Sequence, residues 1–307
     1  MIASLVNFVV SIGIGLFLTP YVVHNIGAEA YGFVGLASTF VGYAQLFTVA
    51  LTSVAGRFIT VAYHEGNELK ANRYYSSTLA ANAVMVFALT IIAIPVILFL
   101  DKLVNISPHL VGDVKMLFTF IFLQFVITTI STVYSVATFV KNKLYLSSIA
   151  NLVFSFVRVA VMVVLFGMLP PKVCYVGLAV CLASAVLTIM NRFYTRVLLP
   201  DISFRWNLVS WASVREMLEA GIWNVVTKLQ QIMMFGLQLL VANLMVSPYL
   251  MGMLSVAQTV PNQISSLTIT VASLFYPEQT KYYAQGKRDE LVDDIKSGMK
   301  VSGFFTN

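Results

Sequence analysis

The stretch AYGFVGLASTFVGYAQLFTVALTSVAG, residues 30–56, runs from Glu29 to Arg57 without one Asp, Glu, Lys or Arg. About 20 apolar residues in a helix cross the hydrocarbon core of a bilayer, so this stretch spans it with residues to spare. Four more uncharged runs follow, at 76–100, 116–140, 173–191 and 229–277. Composition agrees: 59% of the residues are hydrophobic and 10% charged, and the mean hydropathy is +0.85. Soluble domains carry about a quarter charged residues. The fold class is therefore all-α, a polytopic bundle of transmembrane helices.

Eight spans are expected, at 3–23, 33–57, 76–100, 116–140, 148–168, 173–195, 217–246 and 249–276. The first lacks the basic start and small-residue cleavage site of a signal peptide and reads as a true span. A ninth begins at Val301-Ser302-Gly303-Phe304-Phe305, where the sequence stops. A protein rarely ends inside a span, so C-terminal truncation is expected. Cys174 and Cys181, seven apart in an apolar helix, suggest small core residues rather than a disulfide or metal site.

Basic residues set the orientation, because Lys and Arg are retained on the cytoplasmic side. Arg57, Lys70, Arg73, Lys141, Lys143, Arg192, Arg196, Arg205 and Arg215 fall in even-numbered connections, as do five more between Lys281 and Lys300. The odd-numbered connections hold only Lys102, Lys115 and Lys172. The expected location is a bacterial inner (plasma) membrane, multi-pass, with a cytoplasmic N-terminus. The net charge of +6 is then a topology signal, and no nucleic-acid partner is expected. Two cytoplasmic connections, 200–216 and 278–300, mix aromatic and aliphatic residues with charges and read as amphipathic surface segments.

Aligned against itself at an offset of 220, the chain matches without gaps from Gly32 to Gly66. Identical pairs are Gly32/Gly252, Ala37/Ala257, Thr39/Thr259, Thr48/Thr268, Ser53/Ser273, Thr60/Thr280, Tyr63/Tyr283 and Gly66/Gly286. The match equates the second span with the eighth. Six spans separate them, an even number, so the copies point the same way. Parallel repeats about an axis normal to the membrane are a transporter architecture with a site between the lobes. The expected division is a six-helix lobe at 1–199, a connection at 200–216 and the first spans of a second lobe at 217–307.

Ionisable side chains at bilayer depth cost several kcal/mol on most scales and mark functional sites by default. Arg158 stands in the middle of the fifth span, with Asn151 and Ser155 on its face. Lys228 lies in the seventh, with Asn224, Gln231 and Gln238. Both faces must meet a bundle interior or a watery cavity; the bland reading is a side chain that snorkels to the interface. The functional reading is a cationic cavity for an anionic substrate, Arg158 offering a bidentate fork and Lys228 a point charge. Asn151, Ser155, Asn224 and Gln231 complete the candidate binding set. Gln124, Thr128, Ser131, Thr132, Ser135 and Thr138 form a polar stripe on the fourth span that suits helix packing better than a pore. Pro261 in the eighth span frees a backbone carbonyl and is the candidate hinge.

No Asp or Glu is expected at bilayer depth, the nearest being Glu29 in an outer turn, whereas carriers of organic cations place carboxylates there. There is no nucleotide motif, metal-ligand cluster or catalytic triad, so neither an enzyme nor a cofactor or metal is expected.

The stretch Thr19-Pro20-Tyr21-Val22-Val23-His24-Asn25-Ile26-Gly27-Ala28-Glu29-Ala30-Tyr31-Gly32 resembles the first external turn of bacterial polysaccharide (O-antigen or capsule) repeat-unit flippases, members of the multidrug/oligosaccharidyl-lipid/polysaccharide exporter superfamily. Ala55-Gly56-Arg57-Phe58-Ile59-Thr60, Tyr63-His64-Glu65-Gly66-Asn67 and Tyr74-Tyr75-Ser76-Ser77 are similar to the family's second-span exit. The resemblance implies two six-helix lobes around a central cavity. It also implies transfer of an undecaprenyl-diphosphate-linked oligosaccharide to the outer leaflet by alternating access. The implied partners are that lipid-linked oligosaccharide, the bilayer, and a polysaccharide polymerase or glycosyltransferases. Two alternatives stay open: a cation-coupled drug or metabolite antiporter of the same superfamily, and a non-transporting membrane scaffold or assembly subunit.

Overall fold

A computed structural model describes residues 2–141, 143–265 and 287–306. Among these residues every regular element is a helix: α1 Ile2–Ile26, α2 Ala28–His64, α3 Glu68–Leu98, α4 Pro108–Val140, α5 Leu144–Met168, α6 Cys174–Leu198, α7 Trp211–Met245, α8 Pro248–Ala257 and α9 Arg288–Thr306. Helices α2 to α7 are each long and apolar enough to cross a membrane. The protein is thus a multi-pass membrane protein. Helix α1 occupies the first expected span and α8 opens the eighth. Residues 266–276 of that span lie outside the described residues, as do Lys281 and the repeat partners Thr268, Ser273, Thr280, Tyr283 and Gly286.

The turns follow from local chemistry. Gly27 joins α1 to α2 at a φ of 83° and Gly66 ends the α2 exit at 73°, a region that costs glycine little. The Asn67 side chain caps α3 by accepting from Lys70 N, and Ser247 caps α8 by accepting from Leu250 N, with Pro248 at the first helical position. One face of the bundle carries Arg57, Lys70, Arg73, Lys141, Lys143, Arg192 and Arg196 and is called the basic face below. On the opposite face Lys115 pairs with Asp101, Lys172 pairs with Asp113, and Lys102 lies over the Phe99 ring. Acids thus offset the lysines there.

Helix α2 is the hub, packed against α1, α3, α4, α7 and α8. Its opposite-face half builds one core with Phe33 and Leu36 against Leu117, Phe125 and Met251. Its basic half builds a second, with Leu51 and Ile59 against Tyr74, Val133 and Met217. Both cores draw on α7 or α8, through Leu239 and Met251 in the first and Met217 in the second. Cys174 and Cys181 are free and buried, as expected of small core residues.

The polar stripe of α4 bonds its own backbone. Thr128, Ser131, Thr132, Ser135 and Thr138 each donate to a carbonyl three or four residues back, and the helix tightens to 3-10 geometry over Thr132–Ser135. Such back-bonding bends helices. Two backbone carbonyls beside the bend are taken up across the bundle, Thr129 O by Asn82 Nδ2 and Tyr134 O by Thr195 Oγ1.

Two expectations change. The connection at 200–216 is not an amphipathic surface helix: it runs extended past a single 3-10 turn at Trp206–Leu208 and enters α7 at Trp211. Side chains of α3 hold it. Asn72 donates to Asp201 O and accepts from Ser203 N, Ser76 accepts from Arg205 N and Ser77 from Ser210 N. Four backbone groups would otherwise be unmatched. The early start of α7 also brings Glu216 into the helix, whereas Glu219 already lay inside the expected span 217–246. Glu216 accepts from Tyr74 OH, and Glu219 pairs with Arg215 in an exposed i,i+4 bridge.

The repeat is visible as geometry. α2 starts at Ala28 and α8 at Pro248; α3 starts at Glu68 and α9 at Arg288. Both pairs differ by the 220 residues of the sequence match. The copies meet where α2 crosses α8. A Cβ added to Gly32 would lie 2.7 Å from Gly252 Cα, and one added to Gly252 would collide with Ala28 O. Equivalent glycines thus face each other across the local axis, with backbone on backbone.

Candidate functional site

Below that crossing, on its basic-face side, a cavity of about 520 Å³ lies between the lobes. It is lined by Gly15 and Thr19 of α1, Tyr31, Gly35, Ser38, Thr39 and Gly42 of α2, and Arg158 of α5. Lys228, Gln231, Ile232, Gly236 and Leu239 of α7 line it from the other side, with Ser255 of α8, Gln258, and Thr259, Asn262 and Gln263 of the helical residues that follow. Its size is that of a small-molecule site.

Arg158 and Lys228, separated by 70 positions in sequence, therefore share one cavity. Arg158 stands ten residues from the opposite-face end of α5, a depth of about 15 Å at 1.5 Å per residue. Lys228 stands seventeen residues from the corresponding end of α7, a depth of about 25 Å. The two cations are stacked along the membrane normal, Arg158 near the midplane and Lys228 toward the basic face. The buried Arg158 Nε has no hydrogen-bond partner among the described residues. No Asp or Glu is among the described lining residues, so the cavity is a cationic chamber walled by hydroxyls and amides.

The other expected site residues divide. Gln231 lines the cavity. Asn151 donates to Ser147 O on its own helix, Ser155 is buried in packing, and Asn224 donates to Ser53 Oγ, joining α7 to α2; none of the three lines the chamber. Gln238 does not line it either, but accepts from Gln258 Nε2. The cause is a π-helical turn at Ile232–Gly236. One extra residue in a turn rotates everything beyond it by about 100°, so Gln238 leaves the face shared by Lys228 and Gln231. Helix α8 breaks at Ala257, four residues before Pro261, whose missing N–H leaves the Ala257 carbonyl without a helical partner. Only Gln258 is interrupted: helix resumes at Thr259 and Asn262 N donates to Gln258 O, so Pro261 marks a one-residue irregularity at the cavity wall.

The α2 wall was missed in the sequence. Gly35, Ser38, Thr39 and Gly42 present small and polar groups at i, i+3, i+4 and i+7, the spacing of one helical face. Their repeat equivalents Ser255, Gln258, Thr259 and Asn262 line the cavity too. Reading the repeat for the face its polar positions share would have found both walls. The charges break this symmetry, because the position equivalent to Lys228 is Phe8.

This arrangement of helices is the fold of MATE-type transporters. The chain superposes on the MATE multidrug transporter DinF-BH with a TM-score of 0.78 over 99% of this chain and 69% of that one, at 16% identity. It superposes likewise on an inward-facing multidrug resistance MATE family transporter of the MOP superfamily, with a TM-score of 0.72 over 97% and 67% of the two chains, at 15% identity. In sequence it is 31% identical over 301 residues to EpsK, an uncharacterized membrane protein of Bacillus subtilis (strain 168). That match covers 98% of this chain and 60% of EpsK, so the chain spans about 60% of the length of that relative. No family model matches the sequence.

Proposed function

We propose that the chain belongs to a flippase that moves an undecaprenyl-diphosphate-linked oligosaccharide from the cytoplasmic to the outer leaflet by alternating access, for polysaccharide assembly. The carrying observation is the chamber itself. It has two cations and no acid among its described lining residues, and its walls offer the hydroxyls and amides that hydrogen-bond sugars. Arg158 and Lys228 would draw the diphosphate inward, with Gln231 and the α2 hydroxyls beside the sugar. The basic face is cytoplasmic in this reading, the membrane is the bacterial inner membrane, and neither cofactor nor enzymatic step is required. Glycosyltransferases and a polymerase would supply and consume the substrate.

The multidrug transporters that share the fold favour a second reading, a cation-coupled antiporter. The absence of acids among the described lining residues weighs against a cationic drug as cargo. A scaffold would have no use for an interlobe cavity with an unpartnered guanidinium nitrogen.

The test is export of surface polysaccharide from cells carrying Arg158→Ala and Lys228→Ala, singly and together. Each single change is expected to lower export severalfold and the double change to abolish it. Arg158→Lys should retain part of the activity, because charge survives without the fork. Undiminished export in the double variant would sink the assignment.

A further inference from the structure

A second hollow, on the basic face and apart from the chamber, has the build of an anion site. Its volume is about 310 Å³, and it lies between the start of α3 and the start of α7. Ser210 precedes α7, but its side chain caps nothing and its N–H is already taken by Ser77 Oγ. The first intrahelical bond runs from Val214 N to Ser210 O, so among the described residues the N–H groups of Trp211, Ala212 and Ser213 have no acceptor. Such a helix end carries about half a positive charge and favours phosphate. Ser213 borders the hollow and is only 7% exposed, and its hydroxyl has no hydrogen-bond partner among the described residues. A buried hydroxyl in that state is available to a ligand oxygen. Lys70 and Arg73 stand beside it, three residues apart on α3. Lys70 pairs with Glu65 at 3.6 Å, an exposed bond of little worth, and Arg73 has no ion pair among the described residues. Glu216, the one acid among the described lining residues, accepts from Tyr74 OH at 2.7 Å. Two cations and a helix end outweigh it.

We propose that this hollow binds the phosphate of an anionic membrane phospholipid. Basic pockets between transmembrane helices take such headgroups. Trp211, the first residue of α7, is 73% exposed, and Trp206, in the 3-10 turn just before it, is 77% exposed. Exposed tryptophans gather at the membrane–water interface, the level of the headgroups. An adjoining hollow of about 200 Å³ shares Lys70, Tyr74 and Glu216 and adds Arg57 with the apolar Phe58 and Val61. It offers the glycerol and first methylenes of a lipid an apolar wall for which a soluble phosphate has no use. The bound phosphate bridges α3 and α7 and fixes the start of α7 beside the bond between Ser77 and Ser210. This role is independent of what the chamber carries.

The experiment uses the intact protein with Trp223→Phe, which leaves Trp206 and Trp211 as its tryptophans. It is reconstituted in vesicles of phosphatidylcholine with phosphatidylglycerol as the minor component. Bromine is carried on the acyl chains of one lipid or the other, and tryptophan quenching is compared at constant composition. Phosphatidylglycerol should quench severalfold beyond its mole fraction. Lys70→Gln and Arg73→Gln should each weaken that preference by roughly fivefold, and Ser213→Ala by less. Lys70→Arg with Arg73→Lys should keep the parent value. Lys143→Gln with Arg196→Gln removes the same charge elsewhere on the basic face and should change little. All four cations are exposed, so these variants should melt with the parent. Quenching in proportion to mole fraction in the parent, or an equal loss of preference in the two double glutamine variants, would overturn the site. Relief of quenching by millimolar inorganic phosphate would give the hollow to a soluble anion and overturn the lipid assignment.

Discussion

Asn243 offers the sharpest test of how α7 is held at the face opposite the basic one. It is fully buried near the end of α7 and clasps the loop between α3 and α4. Asn105 N donates to its Oδ1 at 2.8 Å, its Nδ2 donates to Asn105 O at 3.0 Å, and Asn105 Nδ2 donates to its carbonyl at 3.0 Å. Asn243→Ala removes the first two and strands the Asn105 backbone groups. Asn105 is itself exposed, so water recovers part of the loss. At about 0.5–1.5 kcal/mol for each net bond, the clasp weakens by about 1–3 kcal/mol, a factor of roughly 5 to 150 in the equilibrium between closed and open. Asn105→Ala removes only the third bond and should cost about half as much. The assay is a Ser38→Cys reporter in the cavity of the intact protein with Cys174 and Cys181 changed to Ala, labelled by a membrane-impermeant maleimide from the face opposite the basic one. Asn243→Ala should raise its rate strongly and Asn105→Ala modestly. Equal effects of the two variants, or none from Asn243→Ala, would refute the reasoning.

Three glycines extend the same logic. Gly252→Ala puts a methyl into Ala28 O and should part α2 from α8, raising labelling of the Ser38→Cys reporter from the face opposite the basic one. Gly221→Ala collides instead with Ala50 O in the basic half, so it should leave that labelling unchanged while lowering thermal stability. Gly167→Ala meets nothing within 4 Å and should be neutral in both assays. Asn72→Ala removes the clamp on residues 201 and 203; it should destabilise the detergent-solubilised protein by about 2–3 kcal/mol and expose the 199–210 connection to limited proteolysis, and resistance equal to that of the parent would refute the clamp.

The sequence by itself determined the membrane bundle, its alternating connections, its repeat and its two intramembrane cations. Each of these depends on composition, spacing or the presence of a charge, and such signals are additive along the chain. Even the 220-residue offset is preserved in the helix starts. What only the tertiary structure decided is direction. Asn151 and Asn224 share a helical face with Arg158 and Lys228, yet both turn to backbone or side-chain partners outside the chamber, and a single π-turn carries Gln238 out of line. A side chain's azimuth is the sum of every local departure from ideal helix and of whichever neighbour accepts its hydrogen bond. The stacking of Arg158 and Lys228 in one chamber is likewise a tertiary fact. It requires α5 and α7 to flank the same gap.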